Sequence, residues 1–115
     1  MPRAVMVVFT HPASPDVEDQ YNDWYDNVHL KDLLAVPGVV AATRYRLSAN
    51  QPAVGRAGPS SAPYLAIYEI EADDPNVTLS EIGKRAGTEK MRMSKALGHV
   101  GDTAPRAIVY DRIDQ

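Results

Sequence analysis

The chain has 115 residues, of which 44% are hydrophobic and 23% charged, and its formal net charge is −3. It contains no cysteine, which excludes disulfide bonds, thiolate metal ligands and a cysteine nucleophile. The acidic balance lacks the basic stripe that accompanies nucleic-acid binding, so no nucleic-acid partner is expected. At this length residues 1–115 are predicted to form one domain, and the cysteine-free composition favours a cytoplasmic location.

The first half of the chain predicts a strand followed by a helix. Residues 4–10 are apolar and β-branched on both faces, and this run is too short to span a membrane. A helix is predicted to begin at Ser14, which can cap it, with Pro15 at the first helical position. It ends within a few residues of Leu34, before Pro37-Gly38. One apolar helix face is formed by Val17, Tyr21, Trp24 and Val28.

The second half predicts two strands, a helical region and a last strand. Val39 to Leu47 and Tyr64 to Glu71 are the two strands, and Ala107 to Ile113 is the last. Thr78-Leu79-Ser80-Glu81 matches a capping box, and Gly87-Thr88 breaks or kinks the helical region, with Thr88 able to cap a further segment. The apolar stripe of this region comprises Leu79, Ile82, Ala86, Met93 and Leu97.

The resulting β-α-β-β-α-β order predicts an α+β fold, the ferredoxin-like sandwich with a four-stranded antiparallel sheet. Both helices would cover one sheet face, yet the strands are apolar on both faces. An uncovered apolar sheet usually marks an interface, so a homodimer packed sheet to sheet is predicted. Residues 49–62 hold almost nothing that could pack, which predicts a long mobile loop that could serve as a lid.

A family resemblance rests on the first helix and the strand after it. Its residues are Trp24-Tyr25-Asp26-Asn27-Val28-His29-Leu30-Lys31-Asp32-Leu33-Leu34, Val36-Pro37-Gly38-Val39 and Arg44-Tyr45. This pattern resembles the EthD-like branch of the dimeric α+β barrel superfamily, most specifically over residues 21–45. The resemblance implies a ligand cleft between the sheet and the helices, one in each subunit. Reactions in the wider superfamily range from cyclisation and dehydration to cofactor-free oxygenation and haem degradation, so the fold alone does not select one.

The candidate catalytic residues are two histidines, a tyrosine and a carboxylate. His29 could act as a general base or acid because an imidazole changes charge near neutral pH, or it could be a half-exposed helix residue bonded to the following loop. Asp32, three residues later, could orient that imidazole. His11, otherwise a turn residue, and Tyr25, at the edge of the apolar face, would supply the complementary proton or hydrogen bond.

The candidate substrate-binding residues are mostly aromatic. Tyr21 and Trp24 lie within the apolar helix face and could be core residues or walls of the cleft. Tyr64 and Tyr68 share one face of a strand, which meets either the helices or a second subunit. Arg44 could hold an enolate or a carboxylate, or pair with an acidic neighbour on the surface.

Other chemistries find little support in the sequence. His29, Asp32 and His11 would be a poor zinc set, and His99 lies in a Gly-flanked loop, so no metal site is predicted. No phosphate-binding glycine loop or serine nucleophile elbow is present, and no cofactor is expected.

The function that we favour from the sequence is a cofactor-independent acid–base enzyme of the cyclase, dehydratase or isomerase type. Its substrate would be a small, mostly apolar metabolite that contains a carbonyl group. Two alternatives remain open: a cofactor-free monooxygenase of an aromatic substrate, and a non-catalytic small-molecule-binding or accessory protein.

Overall fold

A computed structural model of the chain describes residues 2–52 and 62–113. Its elements in chain order are β1 (Arg3–Thr10), a 3₁₀ turn (Pro15–Val17), α1 (Glu18–Trp24), a π-helical turn (Tyr25–His29), α2 (Leu30–Leu34), β2 (Val39–Arg46), β3 (Tyr64–Glu71), α3 (Pro75–Arg85), a second 3₁₀ turn (Gly101–Thr103) and β4 (Arg106–Asp111). The predicted order of strands and helices is confirmed. The predicted loop 49–62 falls largely on residues 53–61, which lie outside the described residues. Within the described ranges, no helix is both long and apolar enough to cross a membrane.

The four strands form one sheet in the order β2-β3-β1-β4, with every neighbouring pair antiparallel. Met6 of β1 lies opposite Tyr68 of β3 on one side and Val109 of β4 on the other. Tyr68 in turn lies opposite Ala42 of β2. This arrangement confirms the predicted α+β, ferredoxin-like sandwich with a four-stranded antiparallel sheet.

The two faces of the sheet differ sharply in burial. Successive side chains of a strand point to opposite faces, and every second side chain of β1 and β3 is buried beneath the helices. These buried residues are Ala4, Met6, Thr10, Tyr64, Ala66, Tyr68 and Ile70, with Val8 partly buried. Tyr64 and Tyr68 therefore face the helices rather than a second subunit, which decides between the two orientations that the sequence allowed. The opposite side, called here the open face, carries Val5, Val7, Phe9, Tyr45, Leu65, Ile67, Ile108 and Tyr110.

The first helical region, residues 15–34, has the predicted apolar face but not the predicted regular geometry. Tyr21 and Trp24 are buried, and Val17 and Val28 pack against them partly exposed. The Ser14 hydroxyl donates to the Asp16 carboxylate instead of capping a backbone amide, so the predicted cap is wrong.

The second helical region begins earlier and ends earlier than predicted. Asp74 precedes α3, and its carboxylate accepts a hydrogen bond from the Asn76 amide at 3.0 Å, with Pro75 at the first position. The predicted capping box at Thr78 is wrong because Thr78 lies within the helix and is buried. Gly87, with φ of 81°, turns the chain out of the helix as predicted.

Residues 88–98 do not form the second helical segment that the apolar stripe predicted. They run as an irregular strap along the first helical region, and its buried residues are Met91, Ala96, Leu97 and Gly98. Met93, expected in the core, is 50% exposed. The helix predicted from the apolar stripe is absent because backbone hydrogen bonds to other segments hold the strap in place. One of them is donated by the Ala13 amide to the Ala96 carbonyl at 2.6 Å.

Candidate active site

The π-helical turn shapes the centre of the candidate site. In a regular α-helix residues five positions apart lie about 140° apart around the axis, since each residue turns about 100°. A π turn, with backbone bonds from i to i+5, winds more slowly and brings residues five apart onto the same side of the helix. The His29 ring accordingly stacks on the Trp24 ring, with centroids 4.6 Å apart and planes 25° apart. The Tyr25 ring meets His29 edge to face at 5.0 Å.

Tyr25 lies in the interior, one α-helical turn after the buried Tyr21. Tyr25 is only 1% exposed, although the regular helix predicted it at the edge of the apolar face. Its backbone amide bonds to the Tyr21 carbonyl as in a regular α-helix, which places its ring on the same face as Tyr21. Its hydroxyl accepts a hydrogen bond from the Tyr68 hydroxyl at 3.5 Å. The expectation of an edge position was therefore wrong, and the contact with Tyr68 was missed.

His29 is held as a neutral imidazole. Burial lowers its pKa from 6.5 to about 4; the nearby Asp32 carboxylate opposes the shift and the Arg44 guanidinium reinforces it. Its Nδ1 atom is buried and has no hydrogen-bond partner among the described residues. A buried polar atom without a partner costs free energy, so this nitrogen is a site where a ligand's donor would be stabilising.

Asp32 makes a different contact from the predicted one. Its carboxylate accepts hydrogen bonds from the Arg92 amide at 3.0 Å and from the Arg92 guanidinium at 3.0 and 3.3 Å. These bonds lower the pKa of Asp32 and fasten the strap to the first helical region. No hydrogen bond joins Asp32 to His29 in the part of the chain described, so the predicted orienting bond is absent there. Asp32 acts on His29 through its negative charge, which raises the pKa of the imidazole.

Trp24 also connects the first helical region to the strap. Its indole Nε1–H donates to the Arg92 carbonyl at 3.0 Å, while its ring is the surface on which His29 stacks. The two interpretations of Trp24, core residue and wall of the site, therefore both describe its position.

A cluster of tyrosines fills the space between the sheet and the first helical region. Tyr21 contacts the Tyr25 and Tyr64 rings with centroids 5.6 and 5.2 Å apart, and its hydroxyl is hydrogen-bonded to the Thr10 hydroxyl. Burial raises the pKa of Tyr21 to about 12 and also raises those of Tyr25 and Tyr68. These phenols therefore remain protonated hydrogen-bond donors at neutral pH.

Arg44 projects from β2 into this cluster. Its guanidinium carbon lies 4.3 Å from the Tyr25 ring centroid and 5.4 and 5.2 Å from those of Tyr21 and Tyr64. It donates to the Asp26 carboxylate at 2.8 Å and to the Asn22 side-chain oxygen at 2.9 Å. The pairing with an acidic neighbour is thus present, but the side chain is only 13% exposed rather than on the surface.

Tyr64 completes the outer end of the cluster. Its hydroxyl donates to the Glu18 carboxylate and accepts a hydrogen bond from the Asn22 amide at 3.3 Å. A hollow of about 400 Å³ opens beside it, lined by Asn22, Asp26, Arg44, Tyr45, Arg46 and Tyr64.

His11 is not joined to the cluster by any ring contact or hydrogen bond of the described residues. Its carbonyl accepts the Gly98 amide at 2.8 Å, which holds the end of the strap beside β1. Its Nδ1 atom, like that of His29, is buried without a described partner. The turn position expected for His11 is present, and its proposed proton-transfer role remains a prediction.

The structure thus brings together His29, Tyr25, Tyr21, Trp24, Tyr64, Tyr68 and Arg44, with Asp32 at one side and His11 apart. The sequence analysis missed the roles of Glu18 and Asp26, which flank Asn22 at a spacing of four and form a polar helix face next to the apolar one. That spacing could have identified them. Arg92 had no such signal, because its partner lies 60 residues away. No group of three or more His, Asp or Glu side chains in the described ranges could hold a metal ion.

Fold and site together define a ferredoxin-like α+β protein with a closed polar-aromatic cluster between sheet and helices. No protein-family model matches the chain, and no curated protein matches it significantly in sequence.

Solved structures are similar to the chain in fold. A candidate monooxygenase from Shewanella loihica PV-4 is 10% identical with a TM-score of 0.57, and the match covers 100% of this chain and 99% of that one. HapK from Hahella chejuensis is 12% identical with a TM-score of 0.57, covering 100% and 95%. An EthD family protein from Bacillus halodurans C-125 is 14% identical with a TM-score of 0.48, covering 98% and 100%. The likeness concerns the fold, which the first two share over the whole of this chain.

Proposed function

We propose that the chain is a cofactor-independent acid–base enzyme of the EthD-like type, acting on a small carbonyl-containing metabolite. The observation that carries the proposal is the state of His29. Its imidazole is half-buried and neutral at pH 7, and its buried Nδ1 has no partner among the described residues. Its ring lies 5.0 Å from that of a phenol that also contacts the Arg44 guanidinium. The resemblance of residues 21–45 to the EthD-like family supports the EthD-like type, although it does not select the reaction.

In this proposal His29 removes a proton from a carbon next to the carbonyl group. The electron pair of the broken C–H bond moves toward the carbonyl oxygen, which becomes an enolate oxygen. The protonated phenol of Tyr25, whose oxygen accepts a hydrogen bond from Tyr68, would donate its own hydrogen bond to that oxygen. The charge of Arg44 would stabilise the enolate in a water-poor site. Returning the proton from His29 to a different carbon gives isomerisation. In dehydration the electron pair of the enolate forms a C=C bond and expels a neighbouring hydroxyl group, which takes the proton from His29 and leaves as water.

The pKa of His29 restricts the substrate. A base with a pKa of about 4 has little driving force for proton abstraction. The carbon must therefore be unusually acidic, such as one between two carbonyl groups or one whose enolate is aromatic. His11 has a buried Nδ1 of its own and is kept in the proposal as a secondary proton carrier.

A cofactor-free monooxygenase of an aromatic substrate is the second candidate. It is favoured by the description of the Shewanella loihica protein as a candidate monooxygenase. The buried rings of Tyr21, Tyr25 and Trp24 would pack against a planar substrate in the same site. A non-catalytic binding protein would use these contacts without turnover.

We also propose a homodimer in which the open faces of two sheets pack together. Tyr45, Ile108 and Tyr110 on this face are 51%, 46% and 60% exposed in the single chain. Apolar surface on one side of a sheet is stabilised by burial against a second sheet about 10 Å away.

Deuterium exchange tests the acid–base proposal even while the product is unidentified. A panel of 1,3-diketones, with simple cyclic ketones as less acidic controls, is incubated with the protein in D₂O, and exchange at the carbon next to the carbonyl is followed by NMR above the buffer rate. His29→Gln should abolish the exchange, whereas His99→Gln, which changes an exposed imidazole, should retain it. Equal rates in the two variants would remove His29 from the mechanism.

Oxygen uptake separates the two catalytic candidates. If electron-rich hydroquinones consume oxygen with the protein and no ketone exchanges, the monooxygenase replaces the acid–base enzyme. If ligands bind but remain unchanged in both assays, the protein is a binding module.

A further inference from the structure

The hollow beside Tyr64 contains a second arginine, Arg46, that the proposed acid–base chemistry does not use. Its volume of about 400 Å³ lies within the range of small-molecule sites. Arg44 and Arg46 are two residues apart on β2, so both project from the helix-facing side of the sheet. Arg44 is nearly buried, while Arg46 is exposed.

Two carboxylates lie near these arginines; one accepts a hydrogen bond from a tyrosine and the other forms an exposed ion pair. Glu18 accepts the hydroxyl of Tyr64. Asp26 pairs with Arg44 at 2.8 Å, but the Asp26 side chain is 58% exposed. A pair with one solvated partner contributes little free energy, so a competing carboxylate could displace Asp26 at small cost.

The Arg44 guanidinium is oriented before any ligand arrives. Asn22 holds one of its nitrogens at 2.9 Å, and the Tyr25 ring lies against it at 4.3 Å. A guanidinium carries five N–H donors in a planar fork, of which Asp26 and Asn22 engage two. A planar carboxylate is the group that matches the remaining fork, because it can accept two parallel hydrogen bonds.

We propose that this hollow is an anion subsite that binds a carboxylate group of the substrate, with Arg44 as its principal partner and Arg46 as a second cation. The inference rests on the proposed function and narrows its substrate class to small carbonyl compounds that also bear a carboxylate. Arg44 and His29 both contact the Tyr25 ring. A carboxylate held by Arg44 therefore lies within the length of a small molecule from His29.

Benzoate and benzamide are matched probes because they share shape and differ in charge. Binding to the intact protein is measured by titration calorimetry at low and high salt. Benzoate should bind at least about tenfold more tightly than benzamide, and the difference should shrink at high salt. Equal binding of the two, or no binding of benzoate, would overturn the anion subsite.

Three variants locate the binding. Arg44→Gln should reduce benzoate binding to the benzamide level, Arg46→Gln should weaken it severalfold, and Arg3→Gln at the other end of the sheet should leave it unchanged. Asp26→Asn should strengthen benzoate binding severalfold, because it removes the competing carboxylate. Since Asp26 is largely exposed, this variant stays informative even if Arg44→Gln fails to fold. Weaker benzoate binding in Asp26→Asn would contradict the displacement.

His29→Gln separates this inference from the proposed function. It should lose deuterium exchange and keep benzoate binding, since His29 does not line the hollow. Exchange that proceeds equally on neutral and carboxylated ketones would retain the acid–base function and reject the subsite.

Discussion

The two faces of the sheet are formed by the same strands, but their tyrosines lie in opposite environments. On the helix side, Tyr64 and Tyr68 are almost fully buried, and their hydroxyls are hydrogen-bonded. On the open face, Tyr45 and Tyr110 are more than half exposed and contribute to an apolar surface.

This difference explains why the candidate site lies on the helix side and the proposed dimer interface on the open face. Burying a hydroxyl without a partner costs free energy, so a face that buries several tyrosines must supply hydrogen-bond partners for them. Partners such as Thr10, Asn22 and Glu18 then fix the positions of the rings. An apolar face needs no such partners, and its side chains are stabilised by area removed from water. The first face is suited to a precise site and the second to an interface.

Truncating matched tyrosines on the two faces should give the largest contrast. Tyr21→Ala removes a fully buried ring that packs between two others, and should lower the free energy of unfolding by about 3–5 kcal/mol. Tyr45→Ala on the open face should lower it by less than about 1 kcal/mol in dilute protein. Urea denaturation followed by circular dichroism measures both. Similar losses would mean that the open face is as well packed as the helix side.

Placing a charge on the open face should break the proposed dimer. Ile67→Glu should raise the dissociation constant more than a hundredfold, by at least about 3 kcal/mol, because it buries an unpaired carboxylate between the sheets. Val77→Glu on the exposed side of α3 is the control and should change nothing. Sedimentation velocity at micromolar concentration measures the proportions of single chains and dimers. A single-chain species for the unsubstituted protein would reject the sheet-to-sheet dimer.

The helix side should show a pH dependence that the open face lacks. The pKa of His29 is about 4 in the folded chain and 6.5 without burial, so folding favours the neutral imidazole. The contribution of the neutral His29 to the free energy of unfolding is therefore fully present above pH 6.5. It is lost as pH drops toward 4, by roughly 3 kcal/mol in total.

His29→Gln should remove this part of the pH profile, and His99→Gln should preserve it. Denaturation midpoints between pH 4 and 7 distinguish the two variants. An unchanged profile in His29→Gln would show that the ring is protonated in the folded chain without cost.

The smallest expected effect concerns the ion pair that fastens the strap. Asp32→Asn should lower the free energy of unfolding by about 1–2 kcal/mol, because it weakens three hydrogen bonds to a partly exposed Arg92. It should also lower the pKa of His29 further, since the Asp32 charge raises it. Arg3→Gln, which breaks the exposed pair with Glu71, should cost less than about 0.5 kcal/mol. NMR titration of the His29 ring and denaturation measure both effects.

Much of the fold was accessible from local patterns. The strand β3 was predicted at its observed bounds, Tyr64–Glu71, because alternation over a strand is a property of consecutive residues. The turn at Pro37-Gly38 was predicted for the same kind of reason, and Gly38 indeed adopts φ of 98°. The capping box at Thr78 was predicted wrongly, because Asp74 and Pro75 provide a stronger start four residues earlier.

The sequence by itself thus determined the order of elements, the apolar helix face and the residue types that any chemistry must use. The histidine, tyrosine and arginine candidates were all identified there, because a cysteine-free chain offers few other reactive groups. Only the tertiary structure decided how they meet. The π-helical turn stacks His29 on Trp24, a departure from the regular helix that the apolar spacing predicted. The Arg92 contact that takes Asp32 away from His29 depends on packing between segments. The Asp32–Arg92 contact spans 60 residues, and no local period of the sequence encodes it.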